Sequence, residues 1–270
     1  MKSSHCNSFA PVAPIQVLEG LLSISPTTFG RYHLLLAHHT VEHPARFTEL
    51  FRVASTRIGQ HIDVIMDNSL VELGGAVDSK MIREAVEIVQ EGGGSHTHVI
   101  PVLPDVMGDA AATIQASTEA YSEWQKDEMP GSGYMVVAQG PSFWDFIKLI
   151  DHFFVLNYFP EIRWVGIPRA LVSTLASRRF AIEYVQTVAP HVQIHLLGFS
   201  DNVLDDLQCA RLRGVRGIDS AVPLRHDGIF LPTSQTPPRS PDWFDKAEVN
   251  NDTMLINLYN IRKWVENRAG

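Results

Sequence analysis

Four stretches of this sequence run an apolar segment directly into a side chain that can bind or move a proton. Ile62 to Met66 leads into Asp67, and His98 to Leu103 into Pro104-Asp105. Tyr134 to Ala138 leads into Gln139-Gly140, and Val215 to Ile218 into Asp219. A short apolar run of this kind reads as a buried strand. A carboxylate at its C-terminal end is either a helix cap or a catalytic group at the mouth of a parallel α/β fold. Singly, each of the four is as ordinary as a cap or a turn residue. Together, at equivalent places, they describe converging carboxylates and an amide. Such a set suits recognition of a planar donor/acceptor edge, with nucleophilic or acid/base work on a glycosidic bond.

Other reactive groups give weaker signals. His96-Thr97-His98 has the His-x-His spacing of some metal hydrolases, but it stands at the start of its strand, away from the mouth. His38-His39 ends an apolar run, so one of the two could line the pocket. No Gly-x-Ser-x-Gly elbow occurs, and neither Cys6 nor Cys209 has an activating neighbourhood. With two distant cysteines and no clustered ligand set, neither a metal nor an organic cofactor is expected. Arg211, Arg213, Arg216 and Arg225 form the one basic cluster, which is either a phosphate-contacting patch or a solvated helix end and loop.

The elements that must position these groups alternate along the chain. Strands are expected at Val17–Ile24, His33–His38, Ile62–Met66, His98–Leu103, Tyr134–Ala138, Trp164–Ile167, Gln193–Leu197 and Val215–Ile218. Between them lie helical patterns over 45–58, 79–90, 110–126, 143–156, 171–188 and 202–212. A Pro/Ser-rich loop, Pro232 to Pro241, precedes a last helix over Met254 to Glu266. Eight strands alternating with helices over 270 residues predict a TIM-like (β/α)8 barrel, with an open doubly wound sheet as the alternative. No Gly-x-Gly-x-x-Gly follows a strand, which weakens the nucleotide-binding version of that sheet. One domain over 1–270 is expected, with an irregular segment over 1–30 and a C-terminal loop and helix over 229–270.

Composition sets the remaining bounds. Hydrophobic residues make up 45% and charged residues 19%, as in an ordinary globular protein. No apolar run is long enough for a membrane span, and Met1 to Ala13 lacks the apolar core of a signal peptide, so a cytoplasmic location is expected. The net charge of −8 is uneven: residues 1–135 hold 8 Lys and Arg against 16 Asp and Glu, and residues 136–270 hold 14 against 14. A general nucleic-acid grip would need a basic balance, so any such contact must be local.

The order of the strand-end motifs resembles the tRNA-guanine transglycosylase superfamily, and more closely the phage DNA 7-deazaguanine transglycosylases of the DpdA type. Asp219-Ser-Ala-Val-Pro-Leu-Arg225 is similar to the family segment that carries the nucleophilic aspartate. Ile65-Met-Asp67-Asn68-Ser69 resembles the segment of the general acid/base. Pro104-Asp105 and Val137-Ala-Gln139-Gly140 resemble the base-binding segments, Trp164-Val-Gly166-Ile167 a glycine turn, and His195-Leu-Leu197-Gly198 a strand end. The resemblance spans roughly residues 33–228. It implies that Asp219 attacks C1′ of a deoxyguanosine in DNA, that Asp67 acts as base on an incoming 7-deazaguanine, and that Asn68, Ser69, Asp105, Gln139, Gly140, Gly166, Ile167, Leu197 and Gly198 line the base pocket. It implies DNA as partner, through the four arginines, in the host cytoplasm if the protein is phage-encoded, and leaves a homodimer open. The family zinc subdomain is absent, since no cysteine follows Cys209. The alternatives are the same exchange on tRNA and a non-catalytic nucleic-acid-binding paralogue.

Overall fold

Valine, isoleucine and leucine fill the strands, and most strand residues are buried on both faces, as parallel strands covered by helices must be. The computed structural model describes residues 8–157, 159–169, 178–226, 228–233, 244 and 251–266. In chain order the elements are β1 (Ser8–Pro11), α1 (Ile15–Ile24), α2 (Pro26–Phe29), β2 (Tyr32–Leu36), α3 (Ala37–Glu42), α4 (Pro44–Ile58), β3 (Ile62–Asp67), α5 (Leu70–Leu73), α6 (Ser79–Gly93) and β4 (Thr97–Pro101). They continue with α7 (Ala110–Lys126), β5 (Tyr134–Val137), α8 (Phe143–Asp151), β6 (Ile162–Pro168), α9 (Arg178–Val188), β7 (Gln193–Leu197), α10 (Val203–Cys209), β8 (Val215–Ser220), α11 (Val222–Arg225) and α12 (Asn251–Glu266).

All strand pairs are parallel, so the protein has an α/β fold on a parallel framework. One sheet runs β1-β8-β7-β6-β5 and the other β2-β3-β4. They meet at an isolated bridge between Val102 and Met135, where Leu103 N donates to Met135 O at 2.8 Å. β1 packs beside β2, but no ladder joins them among the described residues. The eight parallel strands thus form two sheets joined by that bridge, and no closed hydrogen-bonded cylinder forms among the described residues.

Strand alternation sorts the core into two layers. Ala10, Tyr32, Leu34, Ile65, Ile100, Val102, Met135, Val137 and Trp164, drawn from β1 to β6, form an inner cluster. Their strand neighbours Leu35, Val64, Val99, Val136 and Val165 pack outward in the larger cluster shared with the helices. α6 shows the matching helical face: Ile82, Ala85, Val86 and Val89 are all buried. Asp78, Asp109, Ser142 and Asn202 cap α6, α7, α8 and α10 by accepting from backbone N–H groups three residues on.

The N-terminal expectation is corrected. Val17–Ile24 is helical, within α1, and the first strand is Ser8–Pro11. Val17, Leu18, Leu21 and Leu22 recur at helical spacing and are buried, and Val17 N and Leu18 N both donate to Pro14 O. β2 ends at Leu36, two residues before His38, and α3 begins at once. Residues 170–177, which include the expected start of the helix at Leu171, and residues 234–243, which include most of the Pro232–Pro241 loop, lie outside the described residues. None of the described helices is long and apolar enough to cross a membrane.

Candidate active site

The alternation that builds the inner cluster also aims the strand-end groups. On β3, Ile65 points inward, so Asp63 and Asp67 do too, one at each end. On β5 the inward series Met135, Val137 continues to Gln139. On β7, Leu196 packs outward and His195 and Leu197 face in. On β8, Ile218 packs outward and Asp219 faces in. Asp67, Asp219 and Gln139 thus reach the same mouth, at the C-terminal ends of their strands, as expected. Pro104-Asp105 follows β4 to the same place.

Asp67 is the most perturbed group there. It keeps partial access to the mouth, but protein surrounds its carboxyl. Burial pushes its pKa well above the ordinary 3.8, and the charges of Glu72, Asp105 and Asp219 push the same way. Only the Ser69 N–H, donating to Oδ2 at 3.0 Å, opposes them. These surroundings favour the protonated form of Asp67 over what an exposed aspartate would show. Ser69 is buried in a left-handed conformation, φ 62°, which costs a non-glycine residue roughly 1 kcal/mol or more. That strain turns its N–H back onto Asp67.

Asp219 has a different environment. Its Oδ1 accepts from His195 Nε2 at 2.9 Å and from Gly198 N at 3.0 Å. On the other side of the ring, Tyr32 Oη lies 2.6 Å from His195 Nδ1. With Nε2–H donating to the carboxylate, Nδ1 accepts from the tyrosine hydroxyl, so one tautomer satisfies both contacts. Tyr32, His195 and Asp219 are all buried, and both donors reach Asp219 through Oδ1. Gly198 reaches its position with φ 68°, a conformation that favours glycine.

A second network holds the far wall. Asp105 Oδ1 accepts from Asn68 Nδ2 at 2.6 Å, and Oδ2 from Gln139 Nε2 at 2.6 Å. Asn68 Nδ2 also donates to Leu103 O, and Asn68 Oδ1 accepts from Leu70 N. Burial raises the pKa of Asp105, and the two amide donors oppose that. The expected base-edge binders therefore satisfy one another here and build a rigid wall.

The other expected pocket residues divide. Gly166 faces inward but is closely covered: a Cβ there would stand 2.9 Å from Leu197 Cδ1 and 3.2 Å from Val137 Cγ2. Gly140, at φ 152°, gives room to Asp145, whose Cβ would lie 2.6 Å from an added methyl. Ile167 is a correction: it is fully buried in the outer core, because it lies one residue out of step with the inward series. The four arginines do not form one patch. Arg216, near the start of β8, donates to Asp63 Oδ2 and Ser8 Oγ and lies over the Tyr32 ring at 4.6 Å. Arg213 precedes β8, Arg211 donates to Trp264 O, and Arg225 lies beyond the other end of the strand.

Further groups, given no role by the sequence reading, complete the mouth. His195 and Tyr32 orient Asp219. Buried Arg178 donates to Asp206 Oδ1 at 2.8 Å and to Leu197 O at 2.6 Å. Asp206 Oδ2 accepts from Ser200 N and Ser200 Oγ. This buried pair pins the turn 197–200 that supplies the Gly198 N–H. Arg169, just past β6, is exposed, and its Cδ would lie 3.6 Å from a methyl on Gly198. A cleft of about 480 Å³ lined by Arg31, Tyr32, Arg57 and Arg262 lies at the opposite ends of the strands, away from the carboxyls.

No protein-family model and no curated protein sequence matches the chain. Solved structures do. β-Methylaspartase from Clostridium tetanomorphum, in its magnesium complex, superposes with a TM-score of 0.52 at 12% identity, over 98% of this chain and 59% of that one. A variant of methylaspartate ammonia lyase from the same organism gives 0.51 at 13%, over 96% and 58%. A putative dihydrodipicolinate synthase family protein from Coccidioides immitis gives 0.49 at 11%, over 80% and 67%. The chain thus spans under three-fifths of the length of the two lyase structures, and at these identities the likeness is one of fold.

These comparisons correct the transglycosylase resemblance, and with it guanine exchange in DNA. No transglycosylase family matches, and the structures that do match include lyases. The physical reason is that Asp, Gln and Gly at strand ends are what a parallel α/β fold gathers at its mouth for many chemistries. Six short motifs of that kind report the fold more than the family.

Proposed function

We propose that the chain is an enzyme with a TIM-like barrel, open between β1 and β2, that carries out lyase-type proton-transfer chemistry on a small anionic substrate. The observation that carries this reading is the pair of unlike carboxyls at one mouth. Asp67, whose pKa burial raises, serves as the acid, and Asp219, anchored through one oxygen by His195 Nε2 and Gly198 N, serves as the base. Two titratable groups whose surroundings separate their roles supply an acid and a base.

In the proposed step, Asp219 Oδ2 removes a proton from a substrate carbon. The C–H electron pair forms a C=C bond, and the bond from the neighbouring carbon to the leaving group breaks with its electrons. Asp67 gives its proton to that leaving group. His195 and the Gly198 N–H hold Asp219 in place, and Tyr32 fixes the ring. Exposed Arg169 beside Gly198 suits a substrate carboxylate, which it can grip in bidentate fashion. None of the described strands carries a lysine, so a Schiff-base route gains no support from them. The shared lyase fold agrees with this class, but the class is chosen for what the carboxyls can do.

The test is incubation in heavy water with a panel of small hydroxy- and amino-substituted carboxylic acids, followed by proton NMR. The reading expects deuterium wash-in or elimination for at least one panel member, lost in Asp219→Asn. Turnover that survives in the Asp67→Asn/Asp219→Asn double variant would refute it.

A further inference from the structure

The turn after β2 brings together a second set of reactive groups that the mouth chemistry does not use. α3 carries His39 and Glu42, and His43 follows it directly. Ligand atoms from the three side chains all lie within 4.8 Å of one another, the one such grouping of potential metal ligands among the described residues. The His39 and His43 rings meet edge to face with centroids 4.9 Å apart, and His39 Nδ1 lies 3.8 Å from Glu42 Oε2.

We propose that His39, Glu42 and His43 bind a divalent transition-metal ion of the zinc type. The sequence pattern His39-x-x-Glu42-His43 places the groups at i, i+3 and i+4, on one face of a helical turn. The turn is firmly built. His43 leaves the helix at φ −129°, ψ 51°, and Pro44 starts α4 immediately after it. His39 is buried, with its ring against Phe47 at 5.8 Å and Phe244 at 5.5 Å, which fixes its orientation.

Two imidazoles and one carboxylate make a borderline donor set. It suits zinc, cobalt or nickel, whereas magnesium and calcium prefer oxygen ligands. Around a tetrahedral zinc with bonds of about 2.0–2.2 Å, neighbouring ligand atoms stand about 3.3–3.5 Å apart. The present group, whose ligand atoms lie within 4.8 Å of one another, must contract by up to about 1.4 Å to reach that spacing. Exposed Glu42 and half-buried His43 can do so by changing rotamer, while His39 stays fixed. Three protein ligands leave a fourth position for water or a further ligand.

The His96-Thr97-His98 pair that the sequence offered as a metal motif is placed elsewhere. His98 stacks on His61 with centroids 4.3 Å apart, and its Nδ1 lies 3.3 Å from Asp63 Oδ1 at the opposite end of β3. The two sites can therefore be told apart by mutation.

The experiment is zinc titration of metal-stripped protein against a chromophoric chelator, with cobalt absorption as a second readout of ligand type. One equivalent per chain is expected. His43→Ala and the exposed variant Glu42→Gln should each weaken binding at least tenfold, a loss that even outer-shell partners typically produce. His96→Ala should bind as the wild type does. Circular dichroism without metal establishes that the variants fold, and Glu42→Gln carries the test if His43→Ala does not. Absence of stoichiometric zinc, equal affinity in Glu42→Gln, or loss confined to His96→Ala would each overturn the proposal.

Discussion

Replacing Asp206 with asparagine removes one charge from a buried pair and leaves the other. Arg178 and Asp206 are both fully buried, so water cannot take over the lost partner. In Asp206→Asn the guanidinium keeps its bond to Leu197 O but loses its counter-charge, and Ser200 N loses a charged acceptor. Breaking a buried pair on one side costs about 3–5 kcal/mol. At about 2–4 °C per kcal/mol for a chain of this size, the melting temperature should fall by roughly 6–20 °C. The turn that holds Gly198 N against Asp219 should loosen as well, so activity should fall even where the protein is folded. The assay is urea unfolding followed by circular dichroism, with wild type, Asp206→Asn and the double variant Arg178→Met/Asp206→Leu. Replacing both charges with apolar groups should recover most of the loss. A cost for Asp206→Asn of less than about 0.5 kcal/mol, the range of an unremarkable surface change, would refute the reasoning.

Two further predictions concern a titration and a binding contact. Burial and the nearby Arg262 charge lower the His33 pKa from 6.5 to about 3, so the folded protein binds fewer protons than the unfolded chain between those values and loses stability as pH falls through them. His33→Phe should flatten the pH dependence of the urea midpoint between pH 6.5 and 3, and an unchanged slope would contradict it. Arg169→Met should raise KM for an anionic substrate at least tenfold with kcat little changed, since it removes a binding contact and leaves the carboxyls in place; steady-state kinetics decide this, and a fall in kcat alone would place Arg169 elsewhere.

The sequence shows some of these features and hides others, for identifiable reasons. Asp67 and Asp219 are legible because each ends a run of apolar residues, and a carboxylate in that place needs a reason. Val17–Ile24 reads as a strand when only its apolar content is weighed. The spacing of Val17, Leu18, Leu21 and Leu22, just after Pro14, is the helical signal. Ile167 enters the expected pocket only through the family resemblance, and strand parity places it on the outer face, since a shift of one residue moves a side chain to the other face. His195 and Tyr32 lie 163 residues apart, and nothing local announces their contact. The Asn68–Asp105–Gln139 network is hidden for the same reason: it joins three strand ends. A strand drawn out to His38 hides the His39, Glu42 and His43 group. Once the strand ends at Leu36, the same residues fall on a helical turn.

The claim at the centre of this account is that Asp67 serves as the acid beside Asp219. Carbon-13 NMR of aspartate-labelled protein measures it, with the Asp67 carboxyl assigned through Asp67→Asn and followed through a pH titration. The account predicts a midpoint well above the ordinary 3.8, moving down in Asp219→Asn, because the Asp219 charge is one of the influences that raise it. A midpoint in the ordinary carboxylate range, indifferent to Asp219, would contradict the assignment of acid and base and the proposed chemistry with it.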